Sequence, residues 1–427
     1  MEKQEIIPRD ILTKFEKLLE RREALAIKGP RQSGKTTLLK ILARRLENAG
    51  KVVFLNFEDP DVLEAFERDP KGYVRSFMLG PERHYFLMDE FHYISEPGKK
   101  LKLLYDTFEN AKFIVTGSSS LELGGAMAKF LVGRVFFFEL LPFSFHEFLV
   151  AKNERLAKIY EKKNEAIKAF MLGEEVELEE DIFVKELEPL FLEYLTYGGY
   201  PAVVLANDAE TKRMILKGIY DTYISKDVIE FLKFTDASKY RDTIRILAAS
   251  VGGLLNYQAV GSAVQSYFKE LKRILSILSE TYVIILLRPF SRNPRTELRK
   301  SPKVYFFDLG LRNYVLNNFN PLDRRADAGA MVENFVLLEL MRAFPAESLN
   351  YWRTIAKAEV DFVLRVGEKL IPIEAKYQSF AEPKISRSLR SFIHTYSPER
   401  ALVVTRDRWA RSEIDGTKVL FAPAGYI

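Results

Sequence analysis

The sequence predicts a multidomain α/β protein: a parallel-sheet domain, a helical subdomain, a winged-helix-like domain and a C-terminal α/β domain. Three observations carry this. At 427 residues the chain is too long for one hydrophobic core. Its first 140 residues alternate strand-like apolar runs with helical patterns, as in sheets whose parallel strands are joined by helices. Further on, three helical stretches and two strands fall within residues 236–308, followed by helix, hairpin, helix and strand. The boundaries expected are 1–150, 151–235, 236–320 and 321–427.

In the first segment, Ala24 to Lys28 reads as a short buried strand, followed by a glycine-bounded loop and a helix from Lys35 to about Asn48. Val52 to Phe57, Tyr85 to Met88, Phe113 to Thr116 and Val135 to Leu140 read as further strands. Residues 151–180 are charge-rich with little apolar periodicity, which predicts a solvated helical insertion. A helical subdomain runs from Ile182 to about Phe231. It is broken at Gly198-Gly199-Tyr200-Pro201, where two glycines are free to take positive φ and the proline ends the helix. Helices near 240–250, 258–266 and 267–279, with strands at 282–287 and 303–307, give the winged-helix pattern. The last segment reads as a helix near 331–344, a hairpin from Glu359 to Tyr377, a helix after Pro383 and a strand from Ala401 to Thr405.

Composition narrows the chemistry. The chain has no cysteine, which excludes disulfides, a thiolate nucleophile and Cys-ligated zinc. No apolar run reaches the roughly 18 residues of a membrane span, and the first ten residues are too charged for a secretory leader. A cytoplasmic protein without membrane contact is expected. The net charge of +5 is modest for this length and does not by itself indicate nucleic acid.

Gly29-Pro30-Arg31-Gln32-Ser33-Gly34-Lys35-Thr36 matches GxxxxGK[ST] and lies between a predicted strand and a predicted helix. Backbone N–H groups of such a loop, and of the helix it opens through Thr37, point at phosphates where the helix dipole favours negative charge. The pattern predicts ATP binding and hydrolysis, with Lys35 on the β/γ-phosphates and the Thr36 hydroxyl on Mg²⁺. Tyr85-Phe86-Leu87-Met88-Asp89-Glu90 supplies the acidic strand end, with Asp89 as the Mg²⁺ partner and Glu90 as the base that positions water. The strand ending in Gly117-Ser118-Ser119-Ser120 offers Ser118 as a γ-phosphate sensor, or is an ordinary serine-rich loop. Arg134 is a candidate finger toward ATP in its own or a neighbouring subunit, the latter implying a homo-oligomer, or a plain solvated arginine.

These residues, together with Leu141-Pro142-Phe143-Ser144-Phe145, Gly198-Gly199-Tyr200-Pro201 and the segment Val304 to Leu311, resemble prokaryotic AAA-type ATPases that carry an uncharacterised C-terminal domain. The resemblance covers most of the chain. It departs after Glu90, where His92 stands at a position associated with glutamine.

In the C-terminal hairpin, alternation puts Glu359 and Asp361 on one strand face and Glu374 and Lys376 on one face of the next. A two-residue turn at Gly367-Glu368, glycine first, fits type II′ and sets Asp361 opposite Glu374 and Glu359 opposite Lys376. Facing carboxylates repel unless a cation joins them, and oxygen ligands suit Mg²⁺ or Mn²⁺. Glu333, on a helix among apolar neighbours, is a candidate third ligand, and Lys376 a candidate partner for charge developing on a phosphate. The order of helix glutamate, strand aspartate and Glu374-Ala375-Lys376 resembles the PD-(D/E)xK nuclease core, although Val360 stands before Asp361 in place of proline.

Two basic clusters complete the reading. Arg288, Arg292, Arg295, Arg299, Lys300 and Lys303 crowd the predicted wing, with Glu297 the only acid; Lys384, Arg387, Arg390, Arg406, Arg408 and Arg411 mark the last domain. Each alone fits a solvated surface, and together they favour DNA. The expectation is an ATPase acting on DNA with a nuclease-like C-terminal domain. The alternatives are a signalling ATPase whose last domain binds protein, and a DNA-binding ATPase whose nuclease fold is inactive.

Overall fold

A computed structural model describes residues 6–117, 131–177, 181–223, 237–291, 300–379, 382 and 384–427. Ser118 to Ser120, Arg292, Arg295, Glu297 and Arg299 lie outside the described residues. The chain forms two compact units: Met1–Phe143 with Ser276–Tyr282, and Ser144–Leu275 with Val283–Ile427.

The first unit runs α1 (Leu12–Leu19), β1 (Ala24–Lys28), α2 (Lys35–Leu46), β2 (Lys51–Asn56), α3 (Pro60–Arg68), α4 (Pro70–Phe77), β3 (His84–Asp89), α5 (Pro97–Thr107), β4 (Ala111–Gly117) and β5 (Val135–Glu139). Its sheet has the order β2-β3-β4-β1-β5 with every pair parallel. Apolar residues fill both faces, as buried parallel strands require. Leu25 and Ile27 point with Leu87 and Ile114 toward Phe15, Leu38 and Leu42 of the helices. Ala24 and Ala26 point the other way, into a core of Phe57, Phe86, Phe91 and Phe113. The fourth strand lies between β1 and β3, so the phosphate loop and the acidic strand end are separated by the end of β4.

The second unit begins with α6 (Phe145–Lys152), α7 (Glu154–Leu172), α8 (Val184–Tyr197), α9 (Pro201–Val204) and α10 (Ala209–Thr222). Helix α7 corrects the expectation of a solvated insertion. Leu156, Tyr160, Asn164, Ile167, Phe170 and Met171 form one buried stripe, and the charges occupy its other face. Tyr160 Oη donates to Ile427 O at 2.5 Å and Asn164 Nδ2 to Tyr426 O at 3.0 Å.

Next in the chain come α11 (Ala237–Ala249), α12 (Tyr257–Ala263), α13 (Phe268–Glu280), whose residues from Ser276 on belong to the first unit, and the antiparallel pair β6 (Ile284–Leu287) and β7 (Lys303–Phe306), the expected three helices and hairpin. Helix α14 (Leu309–Val315) follows and is tied to the glycine turn after α8. Asp308 accepts the Leu311 and Gly199 N–H groups, each at 2.8 Å. Gly198 adopts φ 77°, and a Cβ on Gly310 would lie 1.9 Å from Tyr197 O. Glycine is therefore required at both positions. Burial pushes the Asp308 carboxyl up to about 6 against the backbone N–H groups that favour its charge.

Helix α15 (Ala328–Ala343), strands β8 (Leu349–Arg353), β9 (Glu359–Val366) and β10 (Lys369–Ala375), helix α16 (Arg387–Tyr396), and β11 (Arg400–Thr405), β12 (Ala410–Ile414) and β13 (Thr417–Pro423) complete the chain. The sheet order is β12-β13-β11-β10-β9-β8, with β10–β11 and β11–β13 parallel and the other pairs antiparallel. The β9–β10 register pairs Val366 with Lys369 and Phe362 with Ile373, the register expected of the two-residue turn. Gly367 takes φ 59° and Glu368 stays out of the positive-φ region, the type II′ pattern.

Candidate functional site

The phosphate loop leaves β1 at Lys28 and enters α2 through Gly34, which caps the helix at φ 95°. A Cβ on Gly29 would lie 2.2 Å from Leu140 O, so the loop backbone presses against the end of β5 with no room for a side chain. Lys35 is buried and donates to Gly29 O and Pro30 O, both at 3.0 Å, which folds its ammonium back across the loop. Ser33 Oγ is buried without a hydrogen-bond partner. Arg9, which is not among the residues expected at the site, holds the loop from outside. Its guanidinium donates to Ser33 O at 2.8 Å and Leu141 O at 2.7 Å and lies over the Phe143 ring. Its only sequence signal is an arginine between apolar residues and a helix start.

Across β4 stand the acidic residues. Asp89 Oδ1 accepts the Thr116 hydroxyl at 2.5 Å, and Thr116 Oγ1 accepts the Glu90 N–H at 3.0 Å. Glu90 itself turns through the left-handed region at φ 51°. His92 Nδ1 lies 3.0 Å from Glu90 Oε2, with the imidazole almost fully buried. Burial raises the Glu90 carboxyl, but the neighbouring His92 imidazole and the charges of Lys35 and Arg31 outweigh it, so the net direction is down. Glu90 is thus held ionised near the loop. Thr36, Asp89 and Glu90 lie at the same strand-end edge of one sheet.

Arg134 does not join them. It precedes β5, where Ala24 N donates to its carbonyl, at the sheet edge opposite the phosphate loop. Its guanidinium pairs with Asp106 at 3.0 Å. A role toward the nucleotide of its own subunit is ruled out by that placement.

The C-terminal carboxylates do gather, with a different centre from the one expected. Lys303 Nζ lies 2.9 Å from Glu333 Oε1, 2.7 Å from Glu359 Oε1 and 3.7 Å from Asp361 Oδ1. Lys303 was expected in the solvated wing cluster; it is instead 2 % exposed, on the first residue of β7. Strand alternation points Tyr305 the same way, and its hydroxyl donates to Glu333. Asn334, next on α15, accepts the Phe306 N–H at 2.7 Å and donates to Phe306 O at 2.8 Å. The hairpin is fixed further by Tyr351 N donating to Arg288 O at 3.0 Å, at the edge of β8.

Asp361 Oδ2 accepts the Ala375 N–H at 2.9 Å. Glu374 Oε1 accepts from Ser386 Oγ at 2.8 Å and lies 3.3 Å from Lys376 Nζ, whereas Glu374 Oε2 is buried without a hydrogen-bond partner. Burial raises the Glu333, Asp361 and Glu374 carboxyls against their lysine neighbours. For Lys303 burial opposes the charge, and the combined Glu333, Asp361 and Glu359 carboxylates reverse it, so the ammonium is held charged. Among the described residues no three acidic or histidine side chains are arranged to hold a metal. Among the residues of the expected ligand set, the Lys303 ammonium approaches Glu333 and Asp361 and not Glu374. Glu359 and Lys303 were missed as partners. The alternation of Lys303 and Tyr305 was the available signal.

Of the basic residues expected to be solvated, Arg288, Lys300, Lys384, Arg387, Arg390 and Arg411 are exposed. Arg406 pairs with Glu188 at 2.7 Å.

Three stretches match known domain families: residues 21–149 an AAA domain, 188–322 a domain of unknown function (DUF8612) and 328–424 a domain of unknown function (DUF4143). The N-terminal domain is thus AAA-type. Similar chains include an uncharacterized protein of Haemophilus influenzae, 26% identical over 92% of both chains. Another, from Methanocaldococcus jannaschii, is 26% identical over 88% of this chain and 78% of its own. Among solved structures, AMPPCP-bound DnaA from Aquifex aeolicus overlaps 63% of this chain and 86% of its own at 14% identity and a TM-score of 0.30. No described helix is long and apolar enough to cross a membrane.

Proposed function

We propose that this chain binds and hydrolyses ATP and couples that cycle to a DNA partner. The observation that carries the ATPase reading is the Thr116 hydroxyl holding Asp89 and the Glu90 backbone across β4 from the phosphate loop. The loop residues Gly29 to Thr36 would cradle the phosphates, with Lys35 turning from its loop carbonyls to the β/γ oxygens. Thr36 and Asp89 would hold Mg²⁺, which when bound would neutralise charge building on the γ-phosphate. Glu90, kept ionised by His92 and Lys35, accepts a hydrogen bond from the attacking water and aligns it. Arg134, on the far sheet edge, fits a finger toward a neighbouring copy. Lys35→Ala tests the core of this: normal ATP turnover in that variant would refute it.

The partner proposal rests on exposed Lys384, Arg387 and Arg390 around the start of α16. DNA that stimulates ATP hydrolysis in a salt-dependent way supports it. No effect of single- or double-stranded DNA at low salt removes DNA from the reading.

For the last domain, the succession of α15, β8, β9, β10, α16 and β11 supports a nuclease-like fold. A live Mg²⁺- or Mn²⁺-dependent nuclease would need Asp361 and Glu374 to share a metal. The Lys303 ammonium among the carboxylates favours the second reading, a nuclease-like fold used for docking. Metal-dependent cleavage of linear or branched DNA that disappears in Asp361→Ala would decide for the nuclease.

A further inference from the structure

We propose that Lys303 is the resident cation of the C-terminal acidic cluster, taking the place of a divalent metal and locking the β6–β7 hairpin to the last domain. The proposal rests on the docking reading of that domain.

Four carboxylates meet there: Glu333 from α15, Glu359 and Asp361 from β9, and Glu374 from β10. Such a group cannot stay buried and ionised without compensation. Part of the compensation is local, since Arg353 Nη1 donates to Glu359 at 2.7 Å and Lys376 faces Glu374. The remainder comes from outside the domain, on a strand that precedes α15 in the chain. Lys303 pairs with three of the four carboxylates and is 2 % exposed.

Two further observations make this a cation site and not a chance ion pair. The unpartnered Glu374 Oε2 sits on a side chain that is 2 % exposed, an acceptor the cluster leaves unsatisfied. And the lysine is delivered by a rigid support: Asn334 clasps both backbone groups of Phe306, and Tyr305 reaches the same glutamate as Lys303. A flexible surface lysine would have neither. An ammonium 2.7–2.9 Å from two carboxylates fills the space in which a divalent ion would collect them. Metal and Lys303 are therefore mutually exclusive, and the domain is closed by its neighbour's side chain.

The test uses nucleotide-free full-length protein and Mn²⁺ as the probe, with binding followed by calorimetry and thermal midpoint. Wild type is expected to show no Mn²⁺ binding that Asp361→Asn removes. Lys303→Met, which keeps the apolar stem, and Lys303→Ala are expected to bind Mn²⁺ at least about tenfold more tightly than wild type and to gain thermal stability from it. Adding Asp361→Asn to either should abolish the gain. Asp361-dependent Mn²⁺ binding by wild type would overturn the proposal, and so would a folded Lys303 variant that binds none. If neither Lys303 variant folds, the wild-type and Asp361→Asn pair decides alone. Metal-dependent DNA cleavage by wild type is the separate result that would overturn the docking reading.

Discussion

The Thr116 hydroxyl donates to Asp89 at 2.5 Å while it accepts the backbone N–H of Glu90 at 3.0 Å. One side chain on β4 thus fixes both acidic residues at the end of β3. Thr116→Val keeps the shape and removes both hydrogen bonds. The expected result is a fall in kcat of roughly 10–100-fold with nucleotide affinity nearly kept, since partners that orient functional carboxylates typically act at that scale. Turnover measured beside fluorescent-nucleotide binding checks this. Equal losses in both would point to a structural role only.

His92 sets the charge on Glu90. Burial alone would push this carboxyl up, and the imidazole is the leading group that brings it back down. In His92→Ala the Glu90 carboxyl rises, so the acid limb of the kcat/KM profile moves to higher pH. The alkaline limb should stay in place. A pH–rate profile unchanged from wild type would remove Glu90 or His92 from the hydrolytic step.

Gly29 allows no side chain. Gly29→Ala would bring a Cβ to 2.2 Å from Leu140 O, a backbone atom that cannot swing aside. Loss of ATP binding by at least about tenfold, with a stability loss of about 1–3 kcal/mol, is expected from overpacking at that contact. Equilibrium denaturation and nucleotide titration report the two effects separately.

Asp308 gives a stability signal with an unusual sign. Its folded carboxyl is raised to about 6, above the ordinary 3.8. The folded state therefore holds the extra proton between those values, and stability falls as pH rises from about 4 to about 6. Above that range the loss is constant, on the order of 2–3 kcal/mol. Among charged groups, Arg342 opposes the rise. The difference in unfolding free energy between wild type and Asp308→Asn, followed from pH 4 to pH 8, isolates this slope. A flat difference curve would refute it.

The parts of this structure that were legible in the sequence are those set by short-range rules. The phosphate loop shows because GxxxxGK[ST] fixes its own backbone, and β1 and α2 flank it as expected. The β9–β10 register shows because a two-residue turn leaves one pairing, which puts Phe362 opposite Ile373. What stayed hidden depends on distant partners. Helix α7 looked solvated because its charges outnumber the stripe that packs beneath Tyr426 and Ile427. Lys303 looked like a wing residue because its four-residue strand is too short to reveal a face, and its carboxylates follow 30 to 58 residues later. Arg134 needed the strand order before its side of the sheet could be known. Strands β8, β12 and β13 were missed for want of clear boundaries.

The clasp between Gly199 and Asp308, seen earlier as a helix cap, also sets a timetable for biosynthesis. Its halves are 109 residues apart, and Asn313 adds bonds from the same late segment to Leu195 O and Thr196 O. A ribosome adding about 5–20 residues per second separates their emergence by roughly 5–20 s. Until then the C-terminal turn of α8 lacks that clasp, and Tyr194 has only the earlier Phe145 and Phe148 to pack on. Residues 184–200 therefore reach their native surroundings only once the chain has been made past Asn313.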